Sequence, residues 1–183
     1  VSILREDIQA GDDRPTLMNV DNLFEAARVV GNGMREVHKR DAEALKAFGI
    51  EFGAALILGG QIGGEAPRLF SIYAAGNFIE ATADTPYFQI GESKYGKPII
   101  DRVLKPSTPL ADAAKCALIS MDSTIRSNLS VGPPLDLVVV REGELRIGSH
   151  QQLDAGNDYL HMIHMKWGEA LRQAFRDLPN PEI

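Results

Sequence analysis

Between Asn22 and Gly49 the sequence reads as one long amphipathic helix, and a helix of about 25 residues has to lie along a sheet to bury its face. Asn22 followed three residues later by Glu25 fits a capping box, in which each side chain satisfies an orphan backbone donor. The apolar stripe runs through Leu23, Ala26, Ala27, Val30, Met34, Val37, Ala44 and Leu45 and stops before Gly49. Sheet-forming segments follow at once. Phe52 to Leu58 is apolar and nearly continuous, the pattern of a strand covered on both faces. Arg68 to Tyr73 is a second such run, and Gly59-Gly60-Gln61-Ile62-Gly63-Gly64-Glu65 joins the two as a hairpin. A turn at Ala74-Ala75-Gly76-Asn77 leads into a third short strand, Phe78 to Ala81. Ahead of the long helix, Val1, Leu4 and Ile8 space as the end of an amphipathic helix whose beginning is not in the chain, followed by the turn-rich Gly11-Asp12-Asp13-Arg14-Pro15.

Two glycine-bearing turns bracket the middle of the chain. The first, Gly91-Glu92-Ser93-Lys94-Tyr95-Gly96-Lys97-Pro98, follows Tyr87 to Ile90, which reads as a short strand. The second is Ser127-Asn128-Leu129-Ser130-Val131-Gly132. Helices are predicted over Tyr95 to Leu104 and Leu110 to Arg126, with Thr108 as cap of the latter and Pro109 at its first position. Leu135 to Val140 and Glu144 to Ile147 then form a hairpin through Glu142-Gly143. The last helix starts near Asp158 and carries Leu160, Ile163, Trp167, Leu171, Ala174 and Leu178 on one stripe. No repeat or linker interrupts this order, so the reading is a single domain over residues 1–183, of α+β class.

Composition narrows the function. The 183 residues are 44% hydrophobic and 24% charged, a globular balance with a sizeable core. A formal net charge of −6 argues against nucleic acid as a partner. No apolar stretch approaches the ~20 residues that span a bilayer, so no membrane partner is expected. The single cysteine, Cys116, lies in an apolar helical run and reads as a buried, inert thiol, which fits a reducing cytoplasm.

Gly91-x-x-x-x-Gly96-Lys97 reproduces most of a phosphate-binding loop, but Pro98 stands where a hydroxyl should meet magnesium. His161 and His164 could share a helix face as metal ligands, yet no third ligand is evident, and His38 and His150 stand alone. No metal and no cofactor are expected. Glu80, Asp84, Asp101, Asp112, Asp122 and Asp136 offer carboxylates that sequence cannot pair across the fold. Ser127 and Ser130 read as serines that hydrogen-bond a helix end and a turn; no Gly-x-Ser-x-Gly elbow accompanies them.

Longer segments carry a resemblance. Leu56-Ile57-Leu58-Gly59-Gly60, Pro67 to Tyr73, Ala75-Gly76-Asn77 and Phe88 to Ser93, in that order, resemble a proteasome β-type subunit. Ser127 to Gly132 followed by Leu135-Asp136-Leu137 resembles that family's later Asp-x-x-Ser-Gly-Gly loop and strand. Phe78-Ile79-Glu80-Ala81-Thr82, Gly91 to Pro98 and Asp122 to Gly132 are similar to the bacterial proteasome-type proteases of the ancestral β-subunit family, Anbu.

The resemblance implies an N-terminal-nucleophile hydrolase fold, a four-layer αββα sandwich, assembled as a ring-like or helical homo-oligomer that cleaves peptide or protein substrates. In that family an N-terminal threonine attacks, its own amine is the base, and an aspartate and a lysine assist. By the resemblance these residues have no counterpart here, and the opening strands are expected to be missing from the chain, leaving sheet edges and apolar faces uncovered. What carries over is support around the site: Ser130, Ser127, Glu92 and Ser93. Ser130 matches the serine that orients the amine. Ser127 falls where the proteasome has an aspartate and Glu92 where many subunits have serine, and a carboxylate there would raise the amine's pKa. The alternative is a non-catalytic subunit that self-assembles or holds peptides.

Overall fold

The structure, a computed structural model, describes residues 2–10 and 14–182. Val1 and the turn residues 11–13 of the sequence reading lie outside the described residues. The elements are α1 (Ser2–Ala10), α2 (Leu23–Ala47), β1 (Leu56–Gly60), β2 (Arg68–Ile72), β3 (Phe78–Glu80), α3 (Lys97–Val103), α4 (Leu110–Ser127), β4 (Leu135–Val140), β5 (Ile147–Leu153) and α5 (Asp158–Asp177). They form two compact units, Val1–Ile90 with Val140–Ile147 and Gly91–Val139 with Gly148–Ile183.

In the first unit, α2 begins where its caps dictate. Asn22 Oδ1 accepts from the Glu25 N–H at 2.9 Å, and the Leu23 N–H donates to Glu65 Oε2 at 2.9 Å. A loop carboxylate thus answers the positive end of the helix. The helix ends on the Phe48 cap and Gly49 at φ +68, with the Ile50 N–H returning to the Leu45 carbonyl at 2.9 Å. The helix and its limits match the sequence pattern, but the stripe is buried only in its first half. Leu23, Ala26, Ala27, Val30 and Met34 are buried, whereas Ala44 is exposed.

That buried half packs on β2 through Phe70 and Ile72, both 0% exposed. Phe24, Phe70 and Phe78 meet edge to face with ring centroids 5.2–6.4 Å apart. β2 is the central strand, antiparallel to β1 with Gly60 opposite Arg68 and to β3 with Phe70 opposite Glu80. β1 departs from expectation. It starts at Leu56 instead of Phe52, and Leu56 and Ile57 are exposed, so its faces are not both covered. Arg68 ties the sheet together. Its guanidinium donates in fork geometry to Glu80 at 2.6 and 2.7 Å and also reaches Glu65 at 3.4 Å. The hydrogen bond from Arg68 holds the Glu80 carboxyl below the usual carboxylate range. The tip of the later hairpin belongs with this unit, where the Gly143 N–H donates to Gln61 Oε1 at 2.7 Å.

In the second unit, α4 and α5 enclose a core of Leu118, Leu135, Leu153 and Ile163 with the β4–β5 pair. β4 has the limits its apolar run predicts. β5 does not: of the residues expected as its body, Glu144 to Ile147, only Ile147 is strand, the Glu144 N–H being bonded to Arg141 O and Leu145 sitting at φ +50, and the strand runs on through polar Ser149 to Gln152. α4 starts at Leu110 with Pro109 as its cap position and no side-chain cap. Thr108 Oγ1 instead accepts from the Lys105 N–H at 2.8 Å. α3 is shorter than predicted, and Tyr87 to Ile90 forms no strand. α5 is capped by Asn157, whose side chain accepts from the Leu160 N–H, but Leu171 and Leu178 of its stripe are exposed. Among the described residues no helix is long and apolar enough to cross a membrane.

Two outcomes test this packing. A Cβ on Gly31 would strike the carbonyl oxygen of Gly76, so Gly31→Ala should lower stability by about 1–3 kcal/mol, read from the shift in urea midpoint. Glu80→Gln should lower stability at neutral pH. Because the folded-state pKa of Glu80 is depressed, its contribution is present above the ordinary carboxylate value and lost as pH falls through the folded one. Parent and variant should therefore converge in acid, as measured by unfolding at a series of pH values.

Candidate functional site

The second unit contains both glycine-bearing turns, and one side chain fastens them together. Gly91 sits at φ +77, the left-handed region that glycine enters at no steric cost, and it starts the first turn. Glu92 and Ser93 follow, both half-buried. The Ser93 carbonyl accepts from the Lys97 N–H at 2.9 Å, and Pro98 takes a first-turn position in α3, where its missing N–H costs nothing.

The second turn begins where α4 ends. Asn128 is the C-cap, extended at φ −138, with its N–H on the Thr124 carbonyl at 2.9 Å. Its carbonyl accepts from the Val131 N–H at 3.2 Å. Its side chain does more: Oδ1 accepts from the Ser130 N–H at 2.9 Å and from the Ser130 hydroxyl at 2.7 Å, while Nδ2 donates to Glu92 Oε2 at 3.0 Å. Glu92 also lies 3.6 Å from the Lys94 ammonium. Glu92 and Ser130, two of the four residues singled out from sequence, are thereby joined through Asn128, which lies 36 positions along the chain from Glu92. Ser127 stands exposed at the last position of α4, outside this bridge, and Ser93 is adjacent to it along the chain. Asn128 is the residue that sequence reasoning passed over. The signal was present as Asn-x-Ser just past a helix, the pattern of an Asx turn.

Histidines and carboxylates that sequence left unpaired find each other in the same unit. His164 Nδ1 lies 2.8 Å from Asp122 Oδ1, linking α5 to α4, and His150 Nε2 lies 2.9 Å from Asp136 Oδ1 between β5 and β4. In the first unit His38 packs at 5.1 Å on the Phe52 ring. Among the described residues no three His, Cys, Asp or Glu side chains are grouped to hold a metal ion. Cys116 is 2% exposed, and burial pushes its thiol pKa up.

No protein-family model matches the sequence, and no curated protein does. Solved structures do. Over its whole length the chain superposes on Anbu (ancestral beta-subunit) from Yersinia bercovieri with a TM-score of 0.89 and 50% identity, covering 75% of that chain. The chain belongs to the Anbu family. It likewise matches an Anbu (Gly-1) mutant from Hyphomicrobium sp. strain MC1 at TM-score 0.91 and 44% identity, covering 100% of this chain and 74% of that one. A third match is the helical assembly of the Anbu complex from Pseudomonas aeruginosa, at TM-score 0.90 and 44% identity over 99% and 74% of the two chains. The fold class is therefore α+β and proteasome-like, as the quoted segments implied.

The thiol gives a direct check on the second unit. Cys116 should react slowly with iodoacetamide at neutral pH while the protein is folded and rapidly once it is unfolded, followed by mass spectrometry.

Proposed function

We propose that the chain is a subunit of a proteasome-like, threonine-type N-terminal-nucleophile hydrolase of peptide or amide bonds, working in a self-assembled homo-oligomer in the cytoplasm. The observation that carries this reading is the Glu92–Asn128–Ser130 bridge, which holds together two loops that resemble the family's supports around its nucleophile. The helical assembly of the Pseudomonas aeruginosa relative supports the oligomer.

In this reading the chain's own residues position and tune. Ser130 holds the N-terminal amine that serves as base, and the Glu92 charge favours the protonated form of that amine. Activity then requires a pH high enough to free the amine. Ser127, which falls where the proteasome has an aspartate, adds no second carboxylate charge beside the amine. By the resemblance the nucleophile and its aspartate and lysine partners have no counterpart among the 183 residues, so in this reading these residues supply the support around the nucleophile and not the nucleophile itself. The second reading, a non-catalytic subunit that holds peptides or builds the assembly, is favoured by one observation: Leu129, beside Ser130, is fully exposed and available for contact.

Peptidase assays separate the two. The 183-residue chain should not turn over small peptide amides, while the same chain with the family's nucleophile-bearing segment fused ahead of it should do so, sensitive to threonine-directed inhibitors. Robust cleavage by the 183 residues alone, or none with the nucleophile present, contradicts the proposal.

A further inference from the structure

Hydrogen-bond chemistry at Asn128 permits only one orientation of its amide. A carboxylate accepts and cannot donate, so the group facing Glu92 must be the NH2. That leaves the carbonyl oxygen facing the Ser130 N–H and hydroxyl, both of which must donate to it. The flipped amide would set oxygen against carboxylate and NH2 against a backbone N–H. An unbridged serine hydroxyl rotates freely between donating and accepting. Here its hydrogen is committed at 2.7 Å to Asn128 Oδ1, and Ser130 Oγ is left with lone pairs only.

We propose that Asn128 is a positioning residue for the reaction inferred above. By accepting the hydrogen bond of the Ser130 hydroxyl it makes Ser130 Oγ an obligate acceptor for a cationic N–H donor, and Glu92 fixes the direction in which the Asn128 amide faces. This rests on the hydrolase reading, in which that donor is the N-terminal ammonium. It assigns Glu92 a second task besides its charge, because holding Asn128 requires only an acceptor, which a glutamine also supplies.

Two substitutions part these tasks. Asn128→Leu removes the bridge and keeps the charge, whereas Glu92→Gln removes the charge and keeps an acceptor for Asn128. By amide NMR, Asn128→Leu should speed solvent exchange at the Ser130 N–H about fivefold, the loss of one modest hydrogen bond, with Leu153 and Ile163 in the core unchanged as the check on folding. In the nucleophile-bearing fusion, Asn128→Leu should lower kcat about tenfold with little change in KM. Glu92→Gln should leave the Ser130 N–H exchange near the parent rate and move the acid limb of the kcat profile to lower pH. Should Asn128→Leu disturb folding, a cycle with Ser130→Ala decides. The double variant should be no worse than Ser130→Ala alone, because Asn128 acts through that hydroxyl. Unchanged Ser130 exchange or an unchanged kcat in Asn128→Leu, additive losses in the cycle, or Ser130 exchange sped as much in Glu92→Gln as in Asn128→Leu each overturn the proposal. An inactive fusion overturns the hydrolase reading and the positioning role with it. It is told apart from failure of the bridge because Ser130 exchange would still respond to Asn128→Leu.

Discussion

The direction of one side-chain amide governs the site. Asn128 ends α4, caps it with an extended backbone, and turns its side chain between a carboxylate and a serine. Each neighbour restricts the other: Glu92 can only accept, the Ser130 N–H can only donate, and the amide has one face for each. A local turn is thereby converted into a tie between two loops. Glu92 is 29% exposed, so this tie lies partly in solvent and contributes by fixing direction more than by adding stability.

Each unit has its own core, and each leaves apolar surface uncovered. In the first, α2 buries the half of its stripe that meets Phe70 and Ile72, while Leu56, Ile57 and Ile79 of the sheet remain exposed. In the second, α5 buries Ile163 and leaves Leu171 and Phe175 open, with Leu178 at its C-cap also exposed. Gly31 against Gly76 shows how closely α2 and the β2–β3 turn approach, since only a residue without a Cβ fits there. Exposed apolar surface of this kind is what the self-assembly proposed above would cover.

Sequence patterning read the elements well where packing and patterning agree. The limits of α2 followed from Asn22 and Gly49, both of which act through local hydrogen bonds, and β4 followed from the apolar run 135–140. It read poorly where the buried face and the apolar run part company. The apolar run starts at Phe52, four residues ahead of β1, because 52–55 is apolar without pairing, and the strand expected at Glu144 to Ile147 falls ahead of β5 because β5 is built largely from polar residues, Ser149 to Gln152. Thr108 looked like a cap yet serves the preceding turn. At the site, motif resemblance picked out Glu92 and Ser130, but the link between them depends on contact across 36 positions, which no local pattern encodes. The same limit hid the pairing of Asp122 with His164.

The most direct measurement is NMR scalar coupling across the hydrogen bond between Asn128 Nδ2 and the Glu92 carboxyl carbon in isotope-labelled protein. The account predicts a detectable correlation between these two nuclei, with the Asn128 carbonyl directed at Ser130. An Asn128 NH2 that exchanges freely with water and shows no coupling to Glu92 would contradict it.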